Sequence, residues 1–154
     1  MSNPKLPYSA SLDSLIEQTA AYALSTAAIA QTSGHVCIAM CTTPNCEGYE
    51  MLRNLGKIPE EIALHIQNLQ EHQQRLKIQN PPAQSKPFKQ IFASARVIAH
   101  GYRADEIHTG HVLLCLFTNY ACIASQSLRV HGVTEKALHE QLTTLQQAST
   151  AVMA

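Results

Sequence analysis

The side chains best suited to chemistry cluster in one short segment, where His35 is followed by Cys37, Cys41 and Cys46. Thiolate and neutral imidazole are both zinc ligands, so this group could hold a metal or form a redox pair. Cys37 and Cys41, four residues apart, would share one face of a helix. The pattern lacks a Cys-x-x-Cys pair, however, and buried packing as small hydrophobes is the favoured reading of these thiols. His35 has a counterpart in His111, each following a hydroxyl residue and a glycine (Ser33-Gly34-His35 and Thr109-Gly110-His111). Either imidazole could act as a base. No carboxylate stands beside either one in sequence to orient the ring, so both read as structural histidines. Nucleophilic catalysis needs an activated serine or cysteine with a base and an oxyanion site, and only scattered Ser and His are present. The chain therefore reads as non-enzymatic, with no metal and no cofactor.

Those two segments are parts of a longer duplication. A shift of 76 residues lays Ser33–Met40 on Thr109–Leu116 without a gap. The same shift pairs Ala23 with Ala99, Thr42 with Thr118, Cys46 with Cys122, Leu52-Arg53 with Leu128-Arg129, and Gly56 with Gly132. Apolar positions follow: Leu12 on Phe88, Leu15 on Ile91, Ile62 on Leu138, Ile66 on Leu142 and Leu69 on Leu145. It replaces Cys37 by Leu113 and Cys41 by Phe117, which weakens the metal reading further. A repeat of this length is a four-helix unit, so the expected fold is all-α, eight helices in two pseudo-twofold-related halves sharing one core.

Helical spacing supports this plan. Leu12, Leu15, Ile16, Thr19, Ala23 and Leu24 recur at intervals of three and four. Ser9 or Ser11 is placed to cap that helix. Ser33 is the expected cap of a second helix, apolar on every side and therefore central. A third helix runs from about Cys46 to Leu55 and stops at Gly56, a left-handed C-terminal position. Pro59-Glu60-Glu61 opens a fourth, with proline and acids where the first turn accepts them. The glutamine-rich run from Gln67 to Gln79 reads as its solvated face. The second copy repeats the order, with Gly101 after its first helix, Thr109 and Thr134 as caps and Gly132 as a stop. No sheet is expected. The whole chain reads as one domain, with repeats at 9–79 and 87–150 and a connector at 80–86.

Eleven basic and eleven acidic residues cancel, and no basic stripe interrupts the chain, which argues against nucleic acid or a membrane surface as partner. An odd number of cysteines, five, without an evident leader segment, reads as reduced thiols in a cytoplasmic protein.

Around His35 and His111 the chain resembles the double-repeat N-terminal domain of the ClpA, ClpB and ClpC group of unfoldases. The residues that carry the resemblance are Ile107-His108-Thr109-Gly110-His111-Val112, with Leu128, Gly132 and Val133, and their counterparts Thr32-Ser33-Gly34-His35-Val36, with Leu52, Leu55 and Gly56. It extends over residues 9 to 146. It implies a docking platform that receives peptides, substrates or adaptor proteins for a Clp chaperone or protease, with Clp ATPase or protease subunits as partners. No Gly-x-x-x-x-Gly-Lys-Ser/Thr is present, so the expectation is a stand-alone protein of this kind.

One departure bears on the ligand. The resemblance implies a Thr-Glu-His signature whose glutamate helps bind phosphorylated arginine, yet both copies carry glycine, Gly34 and Gly110. The hydroxyls that open each repeat map to Ser9 and Ser85. A guanidinium without its carboxylate loses a charge-assisted bond of roughly 1.5–3 kcal/mol, so weak or absent phosphoarginine binding is expected. The candidate docking residues are Ser9, Ser33, Gly34, Ser85, Thr109 and Gly110. Tyr8, Tyr49, Tyr102, Tyr120, Arg53, Arg103 and Arg129 are further candidates for an exposed binding surface. Two other functions stay open: sequestering a small molecule or cyclic peptide, and a metal-dependent role for the Cys and His side chains.

Overall fold

The computed structural model describes residues 7–25, 30–31, 33–44, 46–74, 83–84, 86–119 and 122–153. Among these, eight α-helices account for nearly all regular structure: α1 (Ala10–Ser25), α2 (Ser33–Cys41), α3 (Glu47–Asn54), α4 (Pro59–Gln74), α5 (Lys86–Gly101), α6 (Thr109–Thr118), α7 (Ile123–Val130) and α8 (Glu135–Met153). The 76-residue shift carries α1 onto α5 and α3 onto α7, end for end. Packing recurs in the same way: α1 lies on α2 and α5 on α6, α2 on α4 and α6 on α8, while α3 meets α6 and α7 meets α2.

The two apolar helices lie at the centre. Every described side chain of α2 from Val36 to Cys41 is buried, and so is α6 from Thr109 to Phe117. A helix with no polar face has nowhere else to go without exposing apolar surface. Leu12 and Leu15 of α1, Met51 and Leu52 of α3, Ile62 and Ile66 of α4, and Leu138 and Leu142 of α8 close over them. Four thiols, Cys37, Cys41, Cys46 and Cys115, are buried in this core, and Cys122 is half-buried. Cys46 donates its S–H to Met40 O at 3.5 Å and Cys122 to Leu116 O at 3.4 Å. These two bonds are 76 residues apart at both ends, and each joins the entry of a short helix to the end of the apolar helix before it.

The helix ends follow local chemistry. Ser9 Oγ accepts from Leu12 N at 3.1 Å and caps α1, and Thr134 Oγ1 accepts from Ala137 N at 3.2 Å ahead of α8. Gly56 and Gly132 take positive φ of 78° and 84° after α3 and α7, as a C-terminal stop requires. Three details differ from the sequence expectations. The cap of α6 is His108, whose backbone N–H donates to His111 Nδ1 at 2.9 Å; Thr109 lies inside the helix and spends its hydroxyl elsewhere. Gly101 is the last residue of α5 without positive φ, and Arg103 takes the left-handed turn at 55°. A small sheet is present: β1 (Ala30–Gln31) and β2 (Ala83–Gln84) pair in parallel. Two residues leave no alternation to read in a sequence. A parallel bridge between Tyr8 and Ile107 is its counterpart under the 76-residue shift. Of the expected connector, only Ala83, Gln84 and Lys86 lie among the described residues.

No helix among the described residues is long and apolar enough to cross a membrane.

Candidate functional site

The candidate docking residues cluster where helices begin. Ser9 N–H donates to Ile107 O at 2.9 Å, which brings the start of α1 against the chain entering α6. Thr109 Oγ1 accepts from Gly48 N at 2.9 Å, so the first turns of α6 and α3 meet. Ser9, Gly34, Thr109 and Gly110 are all buried. The Ser9 and Thr109 hydroxyls both serve the fold, one as a cap and one as a strut. Ser85 and the side chain of Ser33 lie outside the described residues.

Both signature glycines are roofed by side chains from other helices. A Cβ on Gly34 would overlap the Gln70 amide and stand 3.3 Å from Ile66 Cγ2. A Cβ on Gly110 would overlap Glu47 Oε1 and stand 2.8 Å from Met51 Sδ and 2.9 Å from Leu142 Cδ2. Gln70 is buried, contrary to the expectation that this glutamine run faces solvent only. The two positions therefore differ electrically: a neutral amide covers the first and a carboxylate covers the second.

Glu47 sits in the first turn of α3 and against the first turn of α6, where two helix N-termini favour negative charge. Its side chain keeps 25% of its exposure, and that of His108, 3.9 Å away between Nδ1 and Oε2, keeps 38%. Burial raises the Glu47 carboxyl above its usual range; the neighbouring His108 opposes this and Glu50 adds to it. His111 lies beneath, its ring 5.7 Å from that of His108 and 6.2 Å from that of Tyr102. Burial lowers its pKa to about 4, with a smaller contribution from His108. His35 is likewise lowered to about 4 by burial, its ring 5.8 Å from Tyr22. Both rings are neutral core groups at pH 7.

Glu47, Gln70 and His108 were missed as site residues. The usable signal was asymmetry: the 76-residue shift turns Glu47 into Ile123, so the carboxylate belongs to one copy alone. Among the other candidates, Tyr49 is buried and donates its hydroxyl to Glu60 Oε2 at 2.6 Å, so it is a core residue and not surface. Tyr8 and Tyr102 are half-buried, Arg53, Arg103 and Arg129 are exposed, and Tyr120 lies outside the described residues. Among the described residues no group of three or more His, Cys, Asp or Glu is set to hold a metal ion.

No family model matches the chain, and no curated protein matches it. Solved structures do. The Hsp104 N-terminal domain from Candida albicans superposes with a TM-score of 0.72 at 13% identity, covering 91% of each chain. The N-domain of ClpV from Vibrio cholerae gives 0.71 at 15% identity, covering 94% of this chain and 92% of that one. The ClpV N-domain in complex with a VipB peptide gives 0.67 at 14% identity, covering 90% and 91%. Sequence identities this low speak for architecture alone. The chain has a Clp N-domain-like fold.

Proposed function

We propose that this protein is a non-enzymatic docking module that binds peptides or adaptor proteins and modulates delivery to a Clp chaperone or protease. The observation that carries this reading is the Clp N-domain-like fold, one example of which, the ClpV N-domain, is described with a bound VipB peptide. The catalytically attractive groups support a binding role: both signature histidines are buried and neutral at pH 7. Burial also raises the pKa of Cys46 and Cys115, which favours the thiol over the nucleophilic thiolate.

Within this reading the second repeat offers the more selective contact. At Gly34 the lost acid is replaced by a buried amide, so a cationic side chain would find no charge there. At Gly110 the Glu47 carboxylate, on a side chain 25% exposed, stands beside His108, suited to an arginine or lysine of an incoming peptide. Phosphoarginine would meet this carboxylate without the family's own glutamate, and weak binding remains the expectation.

The test is a pull-down of Clp ATPase and protease subunits with the full chain, followed by a degradation assay on a model Clp substrate. Retention of a Clp subunit together with a change in substrate turnover supports the proposal. Absence of both effects refutes it.

A further inference from the structure

We propose that the recess between α5 and the end of α6 binds the side-chain carboxamide of a glutamine or asparagine carried by a partner peptide. The inference rests on the reading of the chain as a peptide-docking module, and it names the peptide class preferred. The recess is open and measures about 520 Å³, inside the range of about 300–1,000 Å³ usual for ligand sites. Gln90, Ser94, Thr118 and Asn119 supply its polar groups, and Val97 and Ile98 an apolar wall. Among the described residues no charged side chain lines it.

The other half of the molecule shows what fills the equivalent position. Under the 76-residue shift the recess corresponds to the seam between α1 and the end of α2. There a carboxamide spans the gap: Thr43 Oγ1 donates to Gln18 Oε1 at 2.7 Å, and Gln18 Nε2 donates to Ser14 Oγ at 3.5 Å. The shift turns Gln18 into Ser94, Ser14 into Gln90 and Thr43 into Asn119. The bridging carboxamide is lost, while polar groups remain on both sides of the space it would occupy.

Those groups have bonding capacity to spare. Gln90 and Asn119 are exposed, and neither spends its amide on a hydrogen bond among the described residues. Thr118 Oγ1 donates to Cys115 O at 3.1 Å and can still accept. A carboxamide brings both donors and an acceptor, which match amides and hydroxyls that each give and receive. Charged side chains fit less well. A carboxylate lacks the donors and would stand at the negative, C-terminal end of α6. An ammonium would leave water without an acid to pair it.

The experiment measures anisotropy of fluorescein-labelled nonapeptides, Ala-Ser repeats with Gln, Leu, Glu or Lys at the centre, on the full-length protein. The Gln peptide should bind about threefold more tightly than the Leu peptide and about tenfold more tightly than the Glu or Lys peptides, the scale of one or two net hydrogen bonds. Ser94→Gln rebuilds the bridge of the first half from within, so it should abolish the preference for glutamine. Asn119→Ala should reduce that preference. No binding of the Gln peptide, equal binding of all four, or an undiminished preference in Ser94→Gln overturns the proposal. Should Ser94→Gln fail to fold, the side-chain amide resonances of Gln90 and Asn119 decide by NMR: the Gln peptide must shift them, and shifts confined to other residues overturn the proposal equally. A chain that retains a Clp subunit without any glutamine preference refutes this inference alone and leaves the docking reading standing. A preference that depends on Ser94 supports the recess even where no Clp subunit is retained.

Discussion

Thr109 Oγ1 accepts the backbone N–H of Gly48 at 2.9 Å, across 61 residues of sequence. The bond lies where the first turns of α3 and α6 meet, and it satisfies a helix N-terminal N–H that α3 cannot pair internally. Met40 occupies the space a side chain at Gly48 would take, where a Cβ would lie 2.8 Å from Met40 Cγ. The junction thus joins the two halves through a backbone donor and a hydroxyl, with Met40 of the first half packed closely over Gly48.

Removing the acceptor should therefore be costly. Thr109→Ala leaves the Gly48 N–H buried without a partner, and a loss of about 1–3 kcal/mol is expected. Thr109→Ser, which keeps the hydroxyl, should recover most of it. Urea denaturation of the three proteins checks this; equal midpoints for Ala and Ser would mean that the bond contributes nothing.

The two signature glycines should respond unequally to a methyl group. At Gly34 the obstruction is mainly the end of the Gln70 side chain, with Ile66 at 3.3 Å, and a small shift relieves it. At Gly110 the methyl group also meets Met51 and Leu142 inside 3 Å, both buried. Gly110→Ala should destabilise by about 1–3 kcal/mol through overpacking, and Gly34→Ala by clearly less. Thermal or urea unfolding of both variants reads the order, and a reversed order would contradict the geometry.

Acid should weaken the fold through His35 and His111. Their ordinary value is 6.5 and their folded value about 4, both lowered chiefly by burial. Between these values the unfolded chain binds more protons than the folded one, so stability is full above pH 6.5 and falls as the pH drops towards 4. Each ring contributes at most about 3 kcal/mol to this loss. Glu47, whose carboxyl is raised by burial, acts in the opposite direction and offsets part of it. Urea midpoints between pH 7 and pH 4.5 should decline, and a flat profile would show that these rings titrate normally.

The carboxylate over Gly110 should set ligand preference if the second repeat docks peptides. Glu47→Gln should weaken binding of arginine-bearing peptides about tenfold, the scale of one lost charge-assisted bond. Neutral peptides should bind it as before. Gln70→Glu should raise affinity for the same cationic peptides at the first repeat. Fluorescence anisotropy on labelled peptides distinguishes these outcomes, and identical affinities for wild type and Glu47→Gln would remove Glu47 from the site.

Helix identity, order and central placement of α2 and α6 were legible in the chain, because they depend on local periodicity, caps and a duplication with fixed offset. Ser9, Thr134, Gly56 and Gly132 took the positions that their side-chain chemistry favours. Tyr49 was misplaced because its aromatic body is apolar and only tertiary packing decided that its hydroxyl would reach Glu60.

What the sequence determined by itself is the 76-residue duplication, its helices and the glycine before each histidine, Gly34 and Gly110. Only the tertiary structure decided what lies over each glycine: Gln70 from the same half over Gly34, Glu47 over Gly110. It also brought His65 and His131 together from separate halves. The reason is physical. Helical periodicity acts over three or four residues, whereas these contacts join side chains far apart in the chain and depend on how the helices pack, which no spacing within one helix records.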